Sequence, residues 1–278
     1  MKRYRVIPYD FDFRARHLTL EIKEEWEPAI KEQHIRNKAA IEQELLATYG
    51  SAFANEKKQN FIDLGPTPLS IIAFHNLFFE QTRTAFIMGA YYPALTGICA
   101  LGERVLNHLI LLLRQDFTGS REYKRIARKD SFDNWNTAIE MLRSWDCLRS
   151  ETADVYQDLM DKRHKAIHFR PETDHNDREL SLEAIHTFQS IIELQFAAWG
   201  QLPWFLTEVA GEIYIKESWE THPFVKRVYL PNCPLVSPYH RVLEISPHWK
   251  VEDEKQLPGA TEIDDSEFAK LRNERRAR

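Results

Sequence analysis

Apolar side chains recur at steps of three and four through the middle of the chain. The clearest run is "PALTGICALGERVLNHLILLLRQ", where Leu95, Ile98, Leu101, Val105, Leu109 and Leu112 form one stripe. It predicts a helix reaching Gln115, with Pro93 in the first turn, where a missing amide proton costs nothing. This should be the most buried element. Before it, Leu69 to Tyr91 carries Ile72, His75, Leu77, Phe79, Phe86 and Ile87 on a broad face. A third long helix is expected from Ser150, its cap, with Glu151 and Asp154 suiting the first turn and Pro171 as the stop. Leu180 to Trp199 supplies a fourth, with Leu182, Ile185, Phe188, Ile192 and Phe196 on one side. A shorter helix near Trp135 to Trp145 separates the second and third.

The flanks read differently. "YRVIPYDFDF" alternates enough for an extended arm or an edge strand, since Pro8 argues against a central one. Leu18 to Tyr49 is charged and helix-friendly, and Pro28 predicts one kinked helix or two short ones. From Pro203 onward lie seven of the thirteen prolines. There "GEIYIKE", "FVKRVYL" and "HRVLEIS" read as three short strands, and "FAKLRNERRAR" as a solvated or frayed helix. The expected division is a helical extension at 1–67, a helical bundle at 68–200 and a β-rich appendage at 201–278.

Composition narrows the function classes. A chain of 278 residues with 43% hydrophobic and 12% aromatic side chains can bury a real core. Three cysteines without paired spacing support neither a disulfide framework nor a zinc knuckle. A net charge of -5 argues against a broad duplex-binding face, though a narrow basic cleft remains compatible with it. No run of about 18 uncharged apolar residues appears, so a cytoplasmic protein without a membrane span is expected. The phosphate-cradling, nucleophile-elbow and dinucleotide motifs are absent, and no cofactor is expected.

Chemistry concentrates in "DKRHKAIHFRPE", Asp161 to Glu172, at the end of the third long helix. Asp161, His164 and His168 share a face at i, i+3 and i+7. Arg163 lies five residues before His168, roughly 140° round the helix at about 100° per residue. Cations at a helix C-terminus also complement the dipole, which accounts for Lys162 and Lys165 without any catalytic role. A metal reading would use His164, His168 and Asp161, but Lys165 stands where the hydrolase motif wants glutamate and would repel a cation. No metal is expected.

"RHKAIH", Arg163 to His168, resembles the R-x4-6-H signature of the HEPN superfamily, with His164 at the usual polar position after the arginine. "YYPALTGICALGERVLNHLI" is similar to the small-residue-rich second helix of that superfamily, with Glu103 near its middle. The resemblance covers about Leu69 to Gly200. It implies a mainly α chain built on a HEPN-like four-helix up-and-down bundle, flanked by the N-terminal helical extension and the small C-terminal β appendage. It also implies a homodimer whose two signatures meet in a basic cleft, and a metal-independent endoribonuclease of toxin–antitoxin, phage-defence or RNA-processing type. A neutralising antitoxin or a nucleotidyltransferase would then be a fitting partner. Other members are noncatalytic RNA-binding or protein-binding modules.

In that setting His168 is the proton-transfer group and Arg163 the phosphate grip, with its forked guanidinium. His164 is open between substrate orientation and a second acid/base role. Arg121, Lys124, Arg125, Lys165 and Arg170 are candidates to bind the RNA backbone. Glu103 or Asp161 would position Arg163, or simply pair with it structurally.

Overall fold

The computed structural model describes residues 2–7, 10–70, 73–131, 134–167, 176–197, 202–244, 250–253 and 262–276. The chain is mainly helical with a small sheet part. In chain order the elements are β1 Arg3–Val6, β2 Asp10–Asp12, α1 Arg14–Thr19, α2 Pro28–Tyr49, α3 Ala54–Asp63, β3 Thr67–Ser70, α4 Ala73–Ile87 and α5 Tyr91–Leu113. There follow α6 Tyr123–Ile126, α7 Trp135–Ser144, α8 Ser150–Ile167, α9 Asp177–Gln195, β4 Phe205–Leu206, β5 Ile213–Ile215, β6 Leu235–Val236, β7 Arg241–Glu244, β8 Lys250–Glu252 and α10 Asp265–Arg276. They form two compact units, one of residues 9–111 and 128–196, the other of residues 1–8, 112–127 and 197–278.

In the first unit the four expected long helices are α4, α5, α8 and α9, and α4 runs antiparallel to α5, as α8 does to α9. His75 faces His108 and Thr82 faces Gly97 between α4 and α5. Asp158 meets Thr187 and Lys162 approaches Glu183 between α8 and α9. Phe79 of α4 stacks on Phe188 of α9 with ring centroids 5.5 Å apart. α5 is well buried, with Ile98, Val105, Leu106, Leu109 and Ile110 all within the core, but no more so than α9, so it does not stand out as the most buried element. Tyr91–Phe117 is long and apolar enough to cross a membrane by length and composition, but half of its most apolar stretch is buried inside the protein, as in a core helix.

The close approach of α5 to its neighbours depends on one missing side chain. A Cβ on Gly102 would lie 2.6 Å from Leu159 Cδ2 on α8 and 3.0 Å from the Trp135 ring at the start of α7. Leu159 and Trp135 are buried, so neither has open space to swing into.

The extension at 9–67 belongs to this same unit rather than standing apart. Arg178 of α9 donates to Asp63 Oδ2 at 2.6 Å and to Asn60 Oδ1 at 2.9 Å on α3. The end of α3 is clamped from two helices, since Arg83 donates to the Gly65 carbonyl and Gln189 to the Leu64 carbonyl. Pro28 does not kink a helix; it occupies the first turn of α2, the one helical place where proline fits. The first bundle helix begins at Ala73 rather than Leu69, because Thr67–Ser70 pairs with β2 as a strand.

The second unit corrects three expectations. β1 is not an arm or an edge; it lies inside a four-stranded sheet of order β4-β5-β1-β6, antiparallel to both neighbours, and ends at Val6 before Pro8 can interrupt a ladder. "FVKRVYL" is not a strand: Val225–Tyr229 forms a π-helical turn. Its buried residues Phe224, Val225 and Tyr229 fall at i, i+1 and i+5, a spacing that suits the wider turn and not a two-residue alternation. The C-terminal helix is not a loose tail, because Phe268 packs on Tyr214 with centroids 4.9 Å apart and Ala269 and Arg272 are buried beside it.

Buried charges weld this unit together. Arg272 forks onto Glu212 at 2.7 and 2.8 Å, Arg5 reaches Glu212 at 3.0 Å, and Tyr214 donates to the same carboxylate. Arg5 also donates to His240 Nε2 at 2.7 Å, so that nitrogen must be unprotonated, and Nδ1–H donates to the Ser237 carbonyl. His240 is therefore neutral. Burial is the main cause that lowers its pKa to about 4, with the charges of Arg272 and Arg5 adding to it. Burial opposes the Glu212 carboxylate, but the Arg272 and Tyr214 hydrogen bonds and the Arg5 charge outweigh it and hold its pKa at about 2.

Two consequences are measurable. Gly102→Ala should lower the melting temperature, because overpacking by about 1–3 kcal/mol exceeds the roughly 1 kcal/mol that alanine ordinarily gains over glycine in a helix; an unchanged or raised midpoint would show that the site has room. Stability should also depend on acid in two steps. The unfolded chain protonates His240 near 6.5 and the folded one only near 4, so stability is full above 6.5 and falls as pH drops through that window. Glu212 then loses its contribution between 4.5 and about 2. Urea midpoints measured against pH check this, and His240→Gln should shrink the upper step, to which the buried His75 and the half-buried His108 also contribute, while leaving the lower one.

Candidate functional site

Arg163 stands in the last turns of α8, about one helical turn before the end at Ile167. Its guanidinium lies between two partners from different elements. Glu103 Oε2 on α5 forms an ion pair with it at 3.0 Å, and the ring of Trp135 has its centroid 5.7 Å from the guanidinium carbon. Trp135 closes the triangle, since its indole N–H donates to the same Glu103 oxygen at 3.0 Å. The indole is placed by α7, which starts there because the Asn134 side chain caps it, accepting from the Thr137 amide at 3.0 Å.

The Arg163 side chain is 25% exposed and that of Glu103 31%. The pair therefore sits at a rim, neither buried nor fully in solvent. Behind it Cys99 is buried, and burial pushes its thiol up to about 12 against the opposing charges of Arg163 and Lys162. That thiol stays protonated and is no nucleophile.

Of the other residues singled out in the sequence, His164 and Lys165 are exposed and follow Arg163 in the same turn. Lys162 turns the other way and pairs with Asp158 at 2.8 Å. Asp161 is exposed, and Glu103 rather than Asp161 holds Arg163. Two residues apart on one helix, Asp161 and Arg163 face different directions. His168 and Arg170 lie outside the described residues. Arg121, Lys124 and Arg125 are exposed and belong to the other compact unit. Among the described residues, no group of three His, Cys, Asp or Glu side chains is placed to hold a metal ion.

Comparison with family models, with curated proteins and with solved structures finds no match to this chain. The site has to be argued from its own atoms.

Trp135 is the member of the site that sequence reading passed over, treating it only as a helix boundary. The available signal was Gly102 immediately before Glu103, a gap of one side chain in the most apolar helix that a large ring could fill.

Two other clusters lie in the same unit. His75 and His108 meet edge-on at 5.3 Å between α4 and α5. Burial lowers both, His75 to about 4, with His108 and Arg104 adding to the effect there. Both stay neutral at pH 7. A cleft of about 590 Å3 between the extension and α4 is walled by Phe61, Phe79 and Tyr49. Its cations are already committed, Arg14 to Asp12 and Glu44 and Arg83 to backbone carbonyls of Leu64 and Gly65. It reads as the seam that fastens the extension to the bundle.

Packing and charge contribute unequally to the triangle, and chemical denaturation separates them. Trp135→Ala should cost about 3–5 kcal/mol as a buried aromatic truncation. A double-mutant cycle on Glu103→Gln and Arg163→Gln should give a coupling of about 1 kcal/mol or less, because both groups are partly solvated. A coupling above about 2 kcal/mol would instead make the ion pair a main support of the fold.

Proposed function

We propose that the chain is a metal-independent endoribonuclease of HEPN type, a homodimer whose two R-x4-H signatures share a cleft. The observation that carries this reading is the Arg163 guanidinium. It sits on a rigid rim at the end of the third long helix, aimed by Glu103 and Trp135, with donors left over and the exposed His164 and Lys165 in the same turn. An arginine fixed by a carboxylate and an aromatic face is preorganised for a phosphate rather than floppy in solvent.

The chemistry follows from RNA itself. The 2′-hydroxyl gives up its proton to the His168 imidazole and attacks the adjacent phosphorus, and the bond to the 5′-oxygen breaks. Arg163 stabilises the added negative charge on the phosphoryl oxygens. His164 orients the phosphate or returns a proton to the leaving 5′-oxygen. The products are a 2′,3′-cyclic phosphate and a 5′-hydroxyl. The setting is a toxin, a phage-defence factor or an RNA-processing enzyme.

One observation favours a second reading. Arg163 is already paired with Glu103, as a purely structural cation would be. In that case the chain is a noncatalytic module of the same fold that binds RNA or a protein, and changes at Arg121, Lys124 and Arg125 weaken that binding.

The test is cleavage of total RNA by purified protein in excess chelator. Wild type should cleave, and Arg163→Ala and His168→Ala should each lose at least about a hundredfold of the rate, in line with the removal of a charge-stabilising or proton-transfer group. Cleavage that requires a divalent metal, or that persists in both variants, would contradict the mechanism.

A further inference from the structure

A groove of about 600 Å3 between α4 and α5 is lined in part by Glu103, the carboxylate that holds Arg163. Its volume falls in the range of small-ligand sites, roughly 300–1,000 Å3. Small residues, Ala85, Gly97 and Ala100, line it, with the Thr82 hydroxyl lying over Gly97. One wall is Phe78, 38% exposed, with the Arg104 guanidinium 4.7 Å from its ring centroid. Gln81 and Ser131 line it with hydrogen-bonding groups, Asn107 lies beside them with its Nδ2 donating to the Glu103 carbonyl at 3.0 Å, and Asp130 stands among them.

We infer that this groove is a nucleobase subsite, which seats one unpaired base of a single-stranded RNA beside the phosphate bound at Arg163. This inference rests on the endoribonuclease reading above. The chemistry of the lining matches a base better than an aliphatic side chain. An exposed aromatic ring backed by a guanidinium stacks on any base face. Amide and hydroxyl groups around the edge can pair with the donors and acceptors of a base, whereas an apolar occupant would leave them dry and unpaired. Because Glu103 lies both in the groove and on Arg163, a base in the groove and a phosphate at Arg163 are within one nucleotide of the same side chain. A paired base in a duplex cannot present its face to Phe78, so the subsite selects single strands.

The inference is tested by fluorescence anisotropy with a labelled single-stranded 12-mer of 2′-O-methyl RNA, which has no free 2′-hydroxyl and cannot be cleaved, and with the same strand in a duplex. The proteins are wild type, Phe78→Ala, Phe78→Trp and Arg104→Gln, each checked by thermal melting. Phe78→Ala should weaken single-strand binding roughly five- to a hundredfold, the range of a lost base–aromatic stack. Phe78→Trp should restore it, and duplex binding should not change. Wild type that binds and cleaves RNA while Phe78→Ala and Arg104→Gln bind as tightly would overturn the subsite and leave the endoribonuclease reading standing. Wild type that neither binds nor cleaves RNA would overturn both. Conversion of an oligomer to a smaller species by Phe78→Ala would assign the groove to a second copy of the chain and overturn the subsite.

Discussion

The approach of α5 to α7 and α8 at Gly102 is the constraint on which the site depends. With no Cβ there, Leu159 and the Trp135 ring close onto the helix backbone. The next residue on α5, Glu103, then meets both the indole N–H and the Arg163 guanidinium. A side chain at that position would meet Leu159 and the Trp135 ring and force one of them to shift. The charge pair is thus a consequence of dry packing, and a partly exposed guanidinium gains its fixed direction from a core contact one residue away.

The bundle was legible in the sequence because its signal is periodic. Leu95, Ile98, Leu101, Val105 and Leu109 state a helix face outright, Pro93 marks the start of that helix and Ser150 the start of α8. Arg163 with Glu103 was legible in part, since both carboxylates, Glu103 and Asp161, were candidates and only the helix–helix contact chooses between them. Trp135 was legible only through the missing side chain of Gly102, because a tryptophan at a helix start looks the same whether it faces solvent, core or a rim. The terminal segments misled for a different reason. β1 pairs with strands about two hundred residues away, and the wide turn at Val225–Tyr229 follows neither the strand nor the α-helical period. Local pattern carries no information about such partners.

The two compact units differ in how they are held. The helical unit relies on apolar interdigitation, with its cations at the rim or spent on the capping of α3. The other unit buries an Arg–Glu–Arg cluster with a neutral histidine under a terminal helix. Every polar group in that cluster has a partner of fixed geometry, which is the condition under which buried charge is tolerated. The consequence is sensitivity to acid rather than to salt.

The central claim is that Arg163 and the histidines of its signature cleave RNA through the substrate's own 2′-hydroxyl. Its most direct measurement is the chemistry of the cut ends. Incubated with chelator and an RNA bearing one cleavable linkage, the protein should leave a 2′,3′-cyclic phosphate on one fragment and a 5′-hydroxyl on the other, and a single 2′-deoxy substitution at that linkage should abolish the cut. Fragments carrying a 3′-hydroxyl and a 5′-phosphate, or cleavage that tolerates the 2′-deoxy substitution, would contradict the account.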